Sequence, residues 1–252
     1  MNCSLITQDD KEWLSYIEDL SEAATIRKTP KFTKFCDERT LLLFNEHAKK
    51  TSYAANIVWG GYPDSDRAVI GFFPDFLEPD SSLFPLSLIK VSGAFTCSHR
   101  DFLGSLLGLG ISRDMIGDIL ISDSDAFIFL YNTVKDYVMF NLTKVSSHRV
   151  TIKEEENIHI LPQKKFEEIQ GTVSSVRLDC VVSLFTRKSR SDSQALISSE
   201  RVFVNYSVSI CASQHIKEGD IISVRGFGKM RLSLIGGETK KGRIKITISK
   251  YV

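Results

Sequence analysis

The sequence predicts an α+β protein of three small domains: an N-terminal α/β domain over residues 1–80, a central domain of βαββαβ order over 81–160, and a C-terminal domain over 166–252. Three observations carry this reading. Helical and alternating apolar patterns follow one another along the chain, so helices and strands are interleaved. The stretch from Pro74 to Pro85 interrupts the pattern with prolines and serines. Charge is also divided unevenly. Residues 177–252 hold 14 Lys and Arg against 6 Asp and Glu, while residues 1–176 hold 18 against 25, although the whole chain is only +1.

The elements follow in order. Trp13, Leu14, Ile17 and Leu20 fall at helical spacing after Asp9 and Asp10, which can cap the helix. A second helix is expected at about 37–50 around Leu41, Leu42, Phe44 and Ala48. Ile57-Val58-Trp59 and Ala68 to Phe73 read as strands joined by the turn-rich run Gly60 to Arg67. The central domain reads as strand (Leu86 to Val91), helix (His99 to Leu109), strands (Ile119 to Ser122, Phe127 to Tyr131), helix (Val134 to Lys144) and strand (Val150 to Ile152). That order is the split ferredoxin-like arrangement, which RNA-recognition modules also use. Phe127, Phe129 and Tyr131 share a strand face where such modules stack bases, but Ile128 and Leu130 make the other face apolar too. A strand apolar on both faces is expected to be packed on both sides. Glu154 to Glu156 reads as a solvated linker before a strand at Glu168 to Val176.

Composition bounds the function. At 42% hydrophobic and 25% charged the chain is an ordinary globular sequence, long enough for several cores. Five dispersed cysteines (Cys3, Cys36, Cys97, Cys180, Cys211) without a Cys-x-x-Cys pair point to reduced thiols and away from disulfides or zinc. The start, Met1 to Ser4, lacks the character of a signal peptide, and no apolar run reaches bilayer length, so a cytoplasmic protein without membrane attachment is expected.

The basic end carries the functional signal. Leu178, Val181, Val182 and Phe185 recur at helical spacing, giving a short helix over 178–186, and a second helix begins near Ser191 with Ala195 and Ile197 turned inward. Between them Thr186-Arg187-Lys188-Ser189-Arg190 sets three cations and two hydroxyls in one turn. Arginine forks chelate phosphate and hydroxyls fix its position, so this loop suits a polyanion. Val202 and Val204 then alternate as a strand, with turns at Asn205-Tyr206 and Gly219-Asp220 and a closing basic hairpin through Lys229 and Arg231.

Arg177-Leu178-Asp179, Ser189-Arg190-Ser191, Val202 to Asn205 and Gly219-Asp220 together resemble, in type and spacing, the alpha-L RNA-binding domain of bacterial ribosomal protein S-four. The resemblance implies that Arg177, Arg187, Lys188, Ser189, Arg190, Asn205, Arg225, Lys229 and Arg231 hold structured RNA. Two departures fall in turns: Glu200 and Tyr206 stand where the pattern has glycine. Upstream, Ser98 to Ile111 with Arg113 and Ile116 to Ile119, together with Gly60-Gly61-Tyr62 and Asp66-Arg67, resemble signatures of the YlmH-like RNA-binding proteins. That similarity implies a bacterial protein without a catalytic site or cofactor. It also implies ribosomal RNA, tRNA and the large ribosomal subunit as partners, in the manner of the related RqcP proteins of ribosome-associated quality control, and it brings a link to cell division.

His99-Arg100-Asp101 copies a kinase triplet without its asparagine or glycine-rich loop, so a helix start capped by Ser98 is expected. Arg100 and Arg113 are candidate secondary RNA contacts. Gly108-Leu109-Gly110 reads as a helix end, not a dinucleotide loop. Asp179 could mimic the carboxylate of a pseudouridine synthase, but a structural role orienting Arg177 is expected. No catalytic constellation stands in the first 160 residues. The expected function is therefore a monomeric, non-catalytic RNA-binding protein; an RNA-modifying enzyme and a division-linked adaptor are the alternatives.

Overall fold

The structure is a computed structural model that describes residues 7–63, 65–93, 96–122, 125–162 and 166–251. Met1 to Ser4, with Cys3, and the turn residue Asp64 lie outside the described residues. The chain divides into two compact units, Met1–Pro162 and Gln163–Val252. The described cysteines Cys36, Cys97, Cys180 and Cys211 are all free thiols. Among the described residues, no helix is long and apolar enough to cross a membrane, and no group of three acidic, His or Cys side chains is placed to hold a metal ion.

The first unit opens with α1 (Gln8–Arg27), whose cap is Thr7 and not the aspartates: its hydroxyl accepts from the Asp10 amide while the Asp10 carboxylate accepts from the Thr7 amide. Asp9 and Asp10 instead occupy the first turn, where the helix dipole favours them. Strand β1 (Lys31–Phe32) has no periodic signal of its own. Helix α2 (Glu38–Ala48), capped by Asp37, leads to β2 (Ala55–Trp59) and β3 (Val69–Phe73) in a three-stranded antiparallel sheet of order β1-β3-β2. Both faces of β3 are buried: Ile70 and Phe72 pack with Ile17, Ala24 and Phe44, while Val69 and Phe73 face the next sheet.

That next sheet comes from β4 (Leu86–Ser92), α3 (His99–Gly108), β5 (Ile116–Ile121), β6 (Asp125–Tyr131), α4 (Asn132–Asn141), the short hairpin β7 (Lys144–Val145) and β8 (His148–Arg149), and β9 (Thr151–Glu155). Its order, β5-β6-β4-β9 with every pair antiparallel, is the split ferredoxin-like order expected from sequence. Two expectations need correction. Helix α4 stops at Asn141, because Leu142 and Val145 turn into the core beneath it and Lys144 begins the hairpin. Glu154 and Glu155 are not linker but edge-strand residues, opposite Ile89 and Leu88. As expected, α3 starts at Ser98, whose amide and hydroxyl both donate to the Asp101 carboxylate, and it ends at Gly108 with Gly110 in the left-handed region.

The aromatic face of β6 is core. Phe127 and Phe129 pack with Phe35, Tyr62, Phe73 and Phe84 beneath the three-stranded sheet, and the Tyr62 ring stacks on Phe129 at 5.1 Å. Ile128 and Leu130 on the other face meet Phe102, Leu106 and Val138 of α3 and α4. The unit is thus four layers, helices–sheet–sheet–helices, and the surface on which related modules stack bases is covered.

The two upstream motifs lock these sheets together. Asp118 accepts from the Tyr62 hydroxyl at 2.7 Å and from the amides of Asp66 and Arg67 at 2.7 and 3.0 Å. The Arg67 guanidinium donates to the carbonyls of Ile116, Phe35 and Arg113. Gly61, at φ 102°, lies so close to Phe129 that a Cβ would stand 2.3 Å from its ring. A left-handed position against an aromatic face admits only glycine.

The second unit contains β10 (Phe166–Val173), α5 (Leu178–Thr186), α6 (Arg190–Ser198), β11 (Val202–Val204), β12 (Ser207–Val208), β13 (Ile221–Val224), β14 (Gly228–Glu238) and β15 (Ile244–Tyr251). Six strands form one antiparallel sheet, β10-β15-β14-β13-β11-β12. One sheet face and the two helices share a core of Leu178, Val181, Val182, Ile197, Val202, Ile222, Met230 and Ile248 among others. In α6 the inward positions are Ser193, Leu196 and Ile197; Ala195 is exposed, because a helix beginning at Arg190 turns 193, 196 and 197 to one side.

Candidate nucleic-acid interface

The interface residues are positioned by the start of α5. The amides of Leu178 and Asp179 donate to the carbonyls of Gln214 and Ala212, and Arg177 bridges to His215, so the helix start is tied to the 212–215 loop. Asp179, in the first turn, is wholly buried. Its carboxylate accepts from Arg190 at 2.7 Å and from Gln194 at 3.1 Å, and Arg177 approaches it at 3.3 Å. Burial works against the ionised form, yet the hydrogen bonds from Arg190 and Gln194 outweigh it and hold the carboxyl below the usual carboxylate range. The expectation that Asp179 orients Arg177 is met, and the structure adds Arg190. A carboxylate fixed between two cations and an amide is a brace.

Helix α5 ends at Arg187, which adopts the left-handed conformation at φ 56°. Two residues later Ser189 caps α6: its hydroxyl accepts from the Asp192 amide and donates to the Asp192 carboxylate. The Ser183 hydroxyl donates to the Lys188 carbonyl and closes the turn. Arg187, Lys188 and Arg190 are all exposed. They border an open cleft of roughly 330 Å³, also lined by Thr172, Ser183 and Arg243. Among the described residues lining it are four cations and no carboxylate. Arg243 was missed by sequence reasoning. It reaches the cleft by donating to the hydroxyl and carbonyl of Thr172, a partner 71 positions away, and the only local hint was the basic run Lys240-Lys241-Gly242-Arg243.

The other sequence-predicted residues fall elsewhere. Asn205 holds two loops together, donating to Asp220 at 2.9 Å and accepting from the Ile221 amide at 2.9 Å. Its neighbour Tyr206 and the distant Glu200 keep the backbone of the glycines they replace, at φ 64° and 57°. Such positions strain a residue with a Cβ by about 1 kcal/mol each. Arg225 lies over the Phe203 ring at 5.2 Å, Lys229 lies between the rings of Tyr206 and Tyr251, and Arg231 is exposed on the same sheet face. Lys188, 5.8 Å from the Phe227 ring, connects the α5–α6 turn to the β13–β14 turn. Six of the predicted residues therefore form two groups, Arg187, Lys188 and Arg190 around the cleft and Arg225, Lys229 and Arg231 on the sheet.

In the first unit Arg113 belongs to the Asp118 network, donating to the Ile116 carbonyl at 2.6 Å; burial and the neighbouring Arg67 pull it down to about 10. Arg100 is exposed and lines a second open cleft, of roughly 500 Å³, with Asp101, Gly104, Gly108, Asn141, Thr143 and Lys144.

Residues 79–159 match the family described as "Putative RNA-binding domain in YlmH". Over 224 residues the chain is 31% identical to "Ribosome-associated protein quality control protein P2" of Bacillus subtilis (strain 168), covering 87% of each protein. Its fold resembles the solved structure "Cell division protein ylmH from Streptococcus pneumoniae", with a TM-score of 0.52 and 21% identity, over 59% of this chain and 92% of that one.

Proposed function

The chain belongs to the YlmH family, the family of this Bacillus relative, and from that premise we propose that it is a non-catalytic RNA-binding protein of the large ribosomal subunit. In this reading it binds ribosomal RNA and a subunit-bound tRNA in the cytoplasm, as a monomer, during quality control of stalled subunits. One observation carries the reading: the α5–α6 turn gathers Arg187, Lys188 and Arg190 with Arg243 around a single carboxylate-free cleft. Concentrated cations on rigid helix ends supply phosphate affinity, and Asp179 holds Arg177 and Arg190 in place without quenching the outer ones. A brace of this kind also speaks against Asp179 as a catalytic group. The first unit would comprise an N-terminal domain to about residue 80 and a central domain over 81–160. With its aromatic sheet face covered, its RNA contact would use the Arg100–Lys144 cleft beside α3.

The test is a salt titration of binding to a structured ribosomal RNA fragment. Replacing Arg187, Lys188 and Arg190 together by alanine should weaken binding at every salt concentration. It should also flatten the log–log salt slope by about 2, since each lost phosphate contact is worth about 0.7 to 0.9. The Arg187/Lys188 double variant leaves the Asp179–Arg190 pair intact and should lose about two-thirds of that slope. Unchanged affinity and slope in both variants sink the assignment.

A further inference from the structure

The face of the C-terminal sheet turned away from the core carries a surface built differently from the cleft. Strand register sets Phe166 opposite Tyr251, Ser223 opposite Lys229, and Phe203 opposite both Ser223 and Val208. The Lys229 ammonium closes this row at 4.4 Å from the centre of the Tyr251 ring and 5.9 Å from that of Tyr206. One rung of side chains therefore crosses all six strands. Residues alternating with it, Val202, Val204, Ile222, Val224, Met230 and Ile248, are buried in the core, so the rung faces outward. Phe166 is 45% exposed, and Phe203, Tyr206 and Tyr251 are half-buried outside the core cluster. Cations accompany the rings throughout: Arg225 over Phe203, Lys229 between the two tyrosines, and Arg231 one rung along, opposite Ser249.

We propose that this rung is a platform for unpaired nucleotides of single-stranded RNA, with bases stacking on Phe203 and Tyr251 and with Arg225, Lys229 and Arg231 taking the adjoining phosphates. Every base has a π-face, so aromatic rings beside cations bind single strands with little regard to sequence. In the free protein a flexible guanidinium or ammonium rests against each ring. An arriving base displaces it, and the cation swings to the phosphate that the base brings. Tyr251 on β15 and Phe203 on β11 are three strand spacings apart, about 14 Å. Neighbouring stacked bases cannot touch both rings, so the strand must be drawn out across the sheet, which a duplex cannot do. The proposal rests on the RNA-binding reading and divides its labour: the α5–α6 cleft grips backbone, and the rung holds bases.

The experiment uses the full chain, a uridine-rich single strand of about ten nucleotides with one central 2-aminopurine, and a hairpin RNA. Binding of the single strand should quench the 2-aminopurine. The Phe203→Leu/Tyr251→Leu variant should bind that strand at least tenfold more weakly yet keep its hairpin affinity, which also shows that the unit is folded. Tyr251→Phe should behave like the unaltered protein. The idea is overturned if quenching is absent, or if the double leucine variant binds the single strand as the unaltered protein does. Should the double variant lose both RNAs, Tyr251→Thr, a strand-forming exchange at an outward position, decides by the same two readings. Failure of the underlying RNA-binding reading looks different: the unaltered protein then binds neither RNA.

Discussion

Two aromatic sheet faces among the described residues have opposite fates. On β6, Phe127 and Phe129 are buried between two sheets, and Ile128 and Leu130 are buried on the reverse side. On the C-terminal sheet, Phe203 and Tyr251 face outward, and the alternate positions are buried. Aromatic alternation along a strand is therefore ambiguous by itself. What separates the two faces is the company of the rings. The neighbours of Phe129 are Tyr62 and Phe35, whereas those of Phe203 and Tyr251 are Arg225 and Lys229. A ring among rings completes a core; a ring among cations remains available to a polyanion's bases.

The largest expected effect breaks the comparison at its buried end. Phe129→Ala should destabilise the first unit by about 4 kcal/mol, since it empties a packed site beneath Tyr62 and Gly61. Phe203→Ala should cost about 1 kcal/mol, because its ring lies outside the core cluster and is partly in water already. Both tryptophans, Trp13 and Trp59, lie in the first unit, so denaturant unfolding followed by tryptophan fluorescence reads the Phe129 variant directly. Equal costs for the two exchanges would remove the distinction between the faces.

A smaller effect tests what holds the cleft of the second unit. Asp179→Ala removes charge-assisted bonds from Arg190 and Gln194 and should cost about 2 kcal/mol. Its pH signature has a fixed sign. The folded carboxyl titrates below its unfolded value, so its contribution is complete above about pH 4 and is lost as pH falls below that. The first unit has a matching group: hydrogen bonding to Arg39 holds Asp10 at about 2, against 3.8 unperturbed. The Arg39 guanidinium is itself exposed, so Arg39→Ala should remove only about 1 kcal/mol at pH 7 and less at pH 2. An acid titration of unfolding free energy that shows no such convergence contradicts both assignments.

The smallest effect is a gain. Glu200 is exposed and holds a left-handed backbone at φ 57°. Glu200→Gly should stabilise the second unit by about 0.5 to 1 kcal/mol and leave RNA affinity unchanged. Tyr206→Gly relieves the same kind of strain but deletes a ring beside Lys229, so single-strand affinity should fall while stability does not. Thermal melts and binding curves for the pair separate turn geometry from ring chemistry.

Much of this fold was legible in the sequence because its signals are local. The βαββαβ order follows from periodicity, and Ile128 and Leu130 already marked β6 as packed on both sides. Misreadings arose where tertiary contacts decide. Leu142 to Lys144 read as a continuing helix, but the core draws Leu142 and Val145 inward and Lys144 starts a hairpin; Glu154 read as linker although it pairs with a central strand. At the candidate interface the cationic turn stood out because its charges are consecutive. The cleft's fourth cation, Arg243, and the tyrosine beside Lys229 are brought in by partners 20 to 70 positions away, of which local pattern shows only the basic run at 240–243. The YlmH-like motifs were visible as residues but not as a structure: Asp118 finds Tyr62 and Arg67 across more than 50 positions.

The most direct test of the functional claim is sedimentation of cell lysate through a sucrose gradient at low and moderate salt, with fractions probed for this protein. The account predicts co-migration with free large ribosomal subunits, lost when Arg187, Lys188 and Arg190 are all alanine. Recovery of the unaltered protein only at the top of the gradient at both salt concentrations, or co-migration undiminished in the triple variant, would contradict it.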